Sequence, residues 1–330
     1  MINIRETSKK LIETSIKEKK SISTKLTENF LYLSSDPDGN LSFSIKIAVD
    51  DFNISTIPKW KAVPAKKITK MFDGENVDML ELSLNVPEYV DIFDGLIENI
   101  FIDQLNDVND DRDAWDAFVN TLDSWDSCFR NKREGLSRGE QIGLYGELYF
   151  LLHNVFPNTD TTSYALKSWR GHSRKHQDFE FNNGNIEVKS TTKKEHRTVS
   201  INNEKQLDPR GFESLHLYVL SLREINADSN TLPQLISDIK EYLDKNYKAD
   251  KRLFKSYLMQ AGYFTEHEDR YLENGYFVEN EELFDVTNYQ KFPSIVDVPS
   301  GVGDVQYSIV LAACQDFKVD DISETIKKVT

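Results

Sequence analysis

Asp178, Glu187 and Lys189 share one short stretch, HQDFEFNNGNIEVKS, in which two carboxylates and an amine surround a single Asn-Gly pair. Carboxylates held close together repel, and a bound divalent cation relieves that repulsion. Mg2+ suits such a pair, with Mn2+ as an alternative, because it takes few carboxylates, keeps several waters and accepts phosphate oxygens. The Val188 carbonyl, between the acid and the lysine, offers a further oxygen. Lys189 has the character to hold or deprotonate a water, or to stabilise charge building on a phosphate. The plainer reading of such residues on a hairpin is a solvated outer face without chemistry.

The elements around these residues decide between the two readings. With Asn183-Gly184 at the centre of a type I′ turn, Phe181 faces Ile186, Glu180 faces Glu187, Phe179 faces Val188 and Asp178 faces Lys189. The apolar residues then occupy one face and the charges the other. A four-residue loop keeps that division, whereas a three-residue loop would move Asp178 to the face of Ile186 and Val188. Glu180, directly opposite Glu187, is expected to twist away from a bound metal. Upstream, Ser137 and Glu140 have capping-box spacing. The helix they open carries Tyr145, Leu148, Tyr149, Leu152, Val155 and Phe156 on an apolar stripe, with Glu147 off it and Pro157 at its end.

Charge is unevenly distributed. The chain has 330 residues and a net charge of −15, which argues against a protein that coats DNA non-specifically. Between Lys167 and Arg210, however, ten Lys/Arg meet six Asp/Glu, a local balance of +4 around the hairpin. Arg170, Arg174, Lys175 and His176, with Lys193, Lys194 and Arg197 beyond the hairpin, are candidate phosphate contacts. His172 and His176 have i, i+4 spacing, but Gly171 and the following strand disfavour a helical zinc pair. Trp169 reads as a packing aromatic. PSGVGD, residues 299–304, lacks the Lys-Ser/Thr of a phosphate loop.

The rest of the chain reads as a polar helix over residues 1–20, strands near 31–34 and 41–49 around the turn Asp36-Pro37-Asp38-Gly39, and further strands through 60–85. Apolar spacing predicts helices over YVDIFDGLIENIFIDQL, residues 113–130, TLPQLISDIKEYLDK and residues 252–261. Strands are predicted at Thr198–Ile201, Leu215–Leu222 and VQYSIVLAAC. The polar link NKREGLSRGE marks a boundary, giving a β-rich N-terminal domain over 1–130, a core over 131–225 and a C-terminal elaboration over 226–330. No apolar run reaches the roughly 18 residues of a membrane span, and the N-terminus lacks the apolar centre of a secretory signal. Cys128 and Cys314 are expected to be buried free thiols in a reducing cytoplasm.

Asp178, eight intervening residues and Glu187-Val188-Lys189 resemble the signature of the PD-(D/E)XK nuclease superfamily, as does an upstream helix carrying Gly146-Glu147. The ordered set GELYFLL, SWRG, QDFEF, IEVKST and KQL is similar to an uncharacterised bacterial PD-(D/E)XK family linked to defence gene clusters. The resemblance covers residues 137–210; the N-terminal region fits only loosely. Gln177 stands where the pattern has proline. The resemblance implies an α/β (α+β) fold: a restriction-endonuclease-like core with a mixed central sheet flanked by helices, preceded by the β-rich domain. It implies that Asp178, Glu187 and the Val188 carbonyl bind Mg2+, that Lys189 activates water, that Glu147 binds or orients a second metal or water, and that Gln206 orients a nucleophile or contacts the backbone. The implied activity is endonucleolytic hydrolysis of DNA in phage defence or restriction, with other defence proteins or a second copy of the chain as partners. A catalytically inactive docking or assembly subunit and an RNA nuclease are the alternatives.

Overall fold

The computed structural model describes all residues except 1–3, 28–30, 51, 73, 101–109, 172–176, 193–196, 227–228, 245–247 and 304; the side chains of 27, 72, 123–124, 126–128, 130–134 and 248–249 also lie outside the description. Two compact units divide the chain at residues 133 and 134. No helix among the described residues is long and apolar enough to cross a membrane.

The first unit is built on an antiparallel sheet ordered β1-β2-β3-β5-β4, from Ile22–Thr27, Leu31–Ser35, Leu41–Lys46, Ala65–Phe72 and Glu75–Ser83. Alternation buries Leu31, Leu33, Phe43, Ile45, Leu80 and Leu82 and leaves polar residues opposite. Helices α1 (Ile4–Glu18), α2 (Val90–Asn99) and α3 (Asp111–Glu134) complete it, with Trp115, Phe118, Leu122 and Trp125 of α3 buried at helical spacing. The Asp36 carboxylate accepts the amides of Asp38 (2.9 Å) and Asn40 (2.8 Å), closing the predicted turn with Gly39 at φ +85.

The second unit holds a four-stranded mixed sheet ordered β10-β9-β7-β6, from Asn274–Asp285, Leu215–Asn226, Gly184–Thr191 and Phe179–Phe181. Only β7 and β9 run parallel. One face packs on α4 (Arg138–Phe150), α5 (Thr162–Ser168), α6 (Leu232–Asp244) and α7 (Lys248–Gln260), around Phe150, Phe179, Ile186, Val188, Tyr218 and Leu220. The Ser137–Glu140 capping box opens α4 as predicted. Helix α4 continues into a π turn, Leu151–Val155, before Pro157 enters a short 3-10 turn. The opposite face is covered by a ribbon of β8 (Thr198–Ile201) and β11 (Tyr307–Val310) over Leu215, Leu217, Val219 and Phe284. A restriction-endonuclease-like α+β core with a mixed sheet is therefore the fold.

Several local expectations are corrected. The strand expected over VQYSIVLAAC is four residues of β11 followed by a 3-10 turn, Leu311–Phe317. The twelve-residue strand β10 and helices α8 (Glu268–Tyr271) and α9 (Ile322–Val329) were not predicted. Cys314 is buried and free; the Cys128 side chain lies outside the description.

The hairpin also differs. Phe179 pairs with Ile186, Glu180 with Asn185 and Phe181 with Gly184, two residues from the expected register. Asn182 and Asn183 form the turn, and neither has the positive φ of a type I′ turn. Tertiary contacts set this register. The Asn183 amide donates to the Val329 carbonyl (2.9 Å), Ser214 Oγ to the Asn183 carbonyl (3.1 Å), and the Asn182 amide to Tyr164 Oη (3.2 Å). Gly184 serves close packing instead of the turn: a methyl group there would lie 2.1 Å from Ser214 Oγ. A shift of two preserves facing, so Asp178, Glu187 and Lys189 still share a face.

Candidate active site

The site forms where β6 stops. Just before Phe179, Asp178 leaves the ladder, and its Oδ2 accepts the Val188 amide at 2.8 Å. The N–H and C=O of one strand residue point to the same edge, so the Val188 carbonyl shares the edge that Asp178 occupies. Continuing the hairpin register places Asp178 opposite Glu187, not Lys189 as expected. Glu180 stands opposite Asn185 instead of Glu187 and ion-pairs with Arg170 at 3.4 Å.

The charged face is not solvated. Glu187 is fully buried beneath the β8–β11 layer, and the Lys189 side chain is 15% exposed. Lys189 Nζ lies 2.6 Å from Glu187 Oε1, and the Asp178 amide approaches the same carboxylate without reaching full hydrogen-bond geometry. Burial, reinforced by the Asp178 charge and opposed by Lys189, pushes the Glu187 carboxyl up to about 8. Burial also raises Asp178, although Lys189 and the Val188 amide oppose it. For Lys189 burial favours the neutral amine, but Glu187 and Asp178 outweigh it and hold the ammonium above its ordinary range.

Glu147 joins this group from α4. The helix crosses β7 closely, because a methyl group on Gly146 would fall 1.8 Å from Ser190 Oγ. That approach brings Glu147 round the open edge beyond β6, where the Trp169 indole donates to its Oε2 at 2.7 Å. Gly171 makes room on the far side: a methyl there would sit 2.1 Å from Glu147 Oε2 and 2.9 Å from Asp178 Oδ1. Those two oxygens are thus at most about 5 Å apart, near enough to repel. Burial first, then Asp178, raises the Glu147 carboxyl well above its ordinary range. Amides 170 and 171 both donate to the Asp178 carbonyl, at 2.7 and 3.1 Å, which fixes SWRG against the end of β6.

The other candidates fall in different places. Gln206 sits in the turn Glu204–Leu207, its Oε1 accepting the Asn202 amide at 2.9 Å. Buried Gln177 donates to the Lys205 carbonyl (2.9 Å) and thereby ties that turn to the base of Asp178. Arg197 is engaged by buried Glu282 at 2.8 Å and by Ser221 Oγ at 3.2 Å. Arg174, Lys175, His176, Lys193 and Lys194 lie outside the described residues, as does the His172–His176 pair. Sequence reasoning missed the indole of Trp169 as a partner of Glu147, Gly171 as the space between two carboxylates, and Gln177 as a brace. The conjunction Trp-Arg-Gly seven residues before Asp178 was the available signal.

Among the described residues no group of three or more His, Cys, Asp or Glu side chains is placed to hold one metal ion. The donors nevertheless fit Mg2+, which needs only one or two carboxylates and completes its shell with water and phosphate. The burial of Glu187 and the mutual repulsion of the carboxylates are the features that such an ion would relieve.

Comparison with curated proteins and with solved structures found no match. A family described as "Putative PD-(D/E)XK family member, (DUF4420)" matches residues 12–312, nearly the whole chain and well beyond the motif-bearing segment. With the nuclease-like fold and the carboxylate–lysine edge in place, the chain belongs to this PD-(D/E)XK family.

Proposed function

We propose that the protein is a Mg2+-dependent endonuclease hydrolysing DNA phosphodiester bonds, with Mn2+ as a substitute ion. One observation carries this reading: a fully buried glutamate beside a second carboxylate and an ion-paired lysine, at an open strand edge. Asp178 and Glu187, with the Val188 carbonyl, would hold the ion, and Glu147 would hold a second ion or a water. The ion supplies charge neutralisation at the phosphate and a more acidic water. As a ligand Glu187 would hold Lys189 less strongly, and the ammonium could then orient the attacking water and stabilise charge on the phosphate oxygens. Trp169 holds Glu147 in place, and the Val188 amide does the same for Asp178.

The local positive balance around the hairpin, within an acidic chain, supports a polyanionic substrate. Bacterial defence in the cytoplasm, alongside partner proteins, is the setting that the resemblance suggests. Plasmid nicking with Mg2+ or Mn2+ tests the reading on wild type, Asp178→Ala and Lys189→Ala, with an RNA substrate in parallel. Cleavage of DNA by wild type alone is expected; equal activity in all three would remove the site assignment.

A docking subunit without catalysis is the second reading. The 2.6 Å ion pair that occupies Lys189 favours it. Metal-independent DNA binding with no cleavage in any metal would select it.

A further inference from the structure

The Glu187–Lys189 face has a roof. In the β8–β11 ribbon Tyr307 stands opposite Ile201 and Ile309 opposite Val199. Directly paired residues leave an antiparallel ribbon on the same side. Ile201, Val199 and Ile309 are buried in one cluster with Leu217 and Val219, and Tyr307 packs against it. Leu217 and Val219 are in turn the strand neighbours of Glu187 and Lys189. Tyr307 is therefore directed at the carboxylate face, on the side away from α4.

Its hydroxyl is shielded from solvent and has no hydrogen-bond partner among the described residues. The Ile295 amide approaches it without reaching hydrogen-bond geometry. The charged groups within electrostatic reach are Lys189, Glu187 and Glu204. Glu204 Oε2 already accepts the Val305 amide at 3.0 Å. A buried hydroxyl left unpaired costs about 1–3 kcal/mol, and phenylalanine would fill the same space without that cost. Lys189, by contrast, has three donors, of which Glu187 takes one.

On the nuclease reading of the site, we propose that Tyr307 is a positioning residue whose hydroxyl holds the Lys189 ammonium through one bridging water. A water-mediated contact is nearly as favourable as a direct one and suits two polar groups beyond direct reach. It would keep the lysine aimed at the attacking water once Glu187 is engaged elsewhere.

Tyr307→Phe in the full chain tests this in two ways. In metal-free protein, trace acetylation of Lys189 by acetic anhydride, read by peptide mass spectrometry, is expected to run at least about threefold faster than in wild type, the loss of one modest hydrogen bond. Lys66, in the other unit, serves as the internal reference. Ile309→Ala, which loosens the same ribbon without touching the hydroxyl, is expected to raise the Lys189 rate less than Tyr307→Phe does. With Mg2+ and DNA, Tyr307→Phe is expected to lower kcat about tenfold at unchanged KM. An unchanged acetylation rate, or an equal rise in Ile309→Ala, overturns the proposal whatever the activity. Faster acetylation in a protein whose wild type cleaves nothing keeps the tyrosine–lysine contact and overturns the nuclease reading instead.

Discussion

Glu187 and Glu282 lie on the same covered face of one sheet, on β7 and β10 with β9 between them, and their surroundings are opposite. Glu282 is 3% exposed and meets two cations, Arg197 at 2.8 Å and Lys318 at 3.3 Å. Burial alone would raise its carboxyl, but those partners outweigh it and hold it below the usual range. Glu187, equally buried, meets one cation and two further carboxylates, and is driven up to about 8. On the helical face Glu281 is likewise satisfied, by Tyr218 (2.8 Å), Tyr149 (3.0 Å) and Asn154 (3.3 Å). Buried carboxylates in this fold are ordinarily supplied with donors. In the second unit the raised carboxyls gather at the edge beyond β6, whereas in the first unit burial pushes Asp94 up to about 6 with Ser8 donating to it.

The contrast is sharpest in activity. Asp178→Ala or Lys189→Ala is expected to lower metal-dependent nicking by about 10³-fold or more, whereas Glu282→Gln stays within about threefold of wild type. Initial rates on supercoiled plasmid decide this, and a comparable loss in Glu282→Gln would erase the distinction.

Stability should reverse the ranking. Glu282→Ala leaves Arg197 and Lys318 without their buried partner and is expected to cost about 3 kcal/mol in urea unfolding. Glu187→Gln is expected to stabilise the metal-free protein by almost nothing at pH 4.5 and by about 1.4 kcal/mol more for each pH unit above it, several kcal/mol in all by pH 8.5. The sign follows from the raised carboxyl. From its ordinary value of 4.5 up to about 8, the unfolded chain has released the proton and the folded chain retains it. Wild-type stability therefore falls as pH rises through that window, while glutamine, which stays neutral, is spared. A gap between the two proteins that does not widen with pH would contradict the assigned burial and repulsion. Smallest of these, Trp169→Phe removes one hydrogen bond to Glu147 and should cost about 1 kcal/mol, read as a several-fold loss in Mn2+ affinity by paramagnetic resonance.

Much of the site was legible because it is local. Alternation from Phe179 to Lys189 assigned Asp178, Glu187 and Lys189 to one face, and parity survives the two-residue error in register. The register itself was not legible, since Asn183 is held by the C-terminal helix and Gly184 by Ser214, contacts far away in sequence. Strand β10 was missed for another reason. In NGYFVENEELFD a bulge between Val278 and Asn280 shifts the alternation, and the strand sets half-buried Glu281 on one face and buried Glu282 on the other. The roof of β8 and β11 was equally hidden: Thr198–Ile201 read as a strand, but nothing local says that it covers Glu187 rather than extending the sheet.

On the nuclease reading Asp178 and Glu187 hold a divalent cation, with Glu147 on a second ion or a water. Titration calorimetry of Mg2+ into the full chain at pH 8 tests it most directly, on wild type, Asp178→Ala and Glu282→Gln. Saturable binding with proton release is predicted for wild type and Glu282→Gln, and none for Asp178→Ala. Equal binding by all three, or none by wild type, would contradict the account.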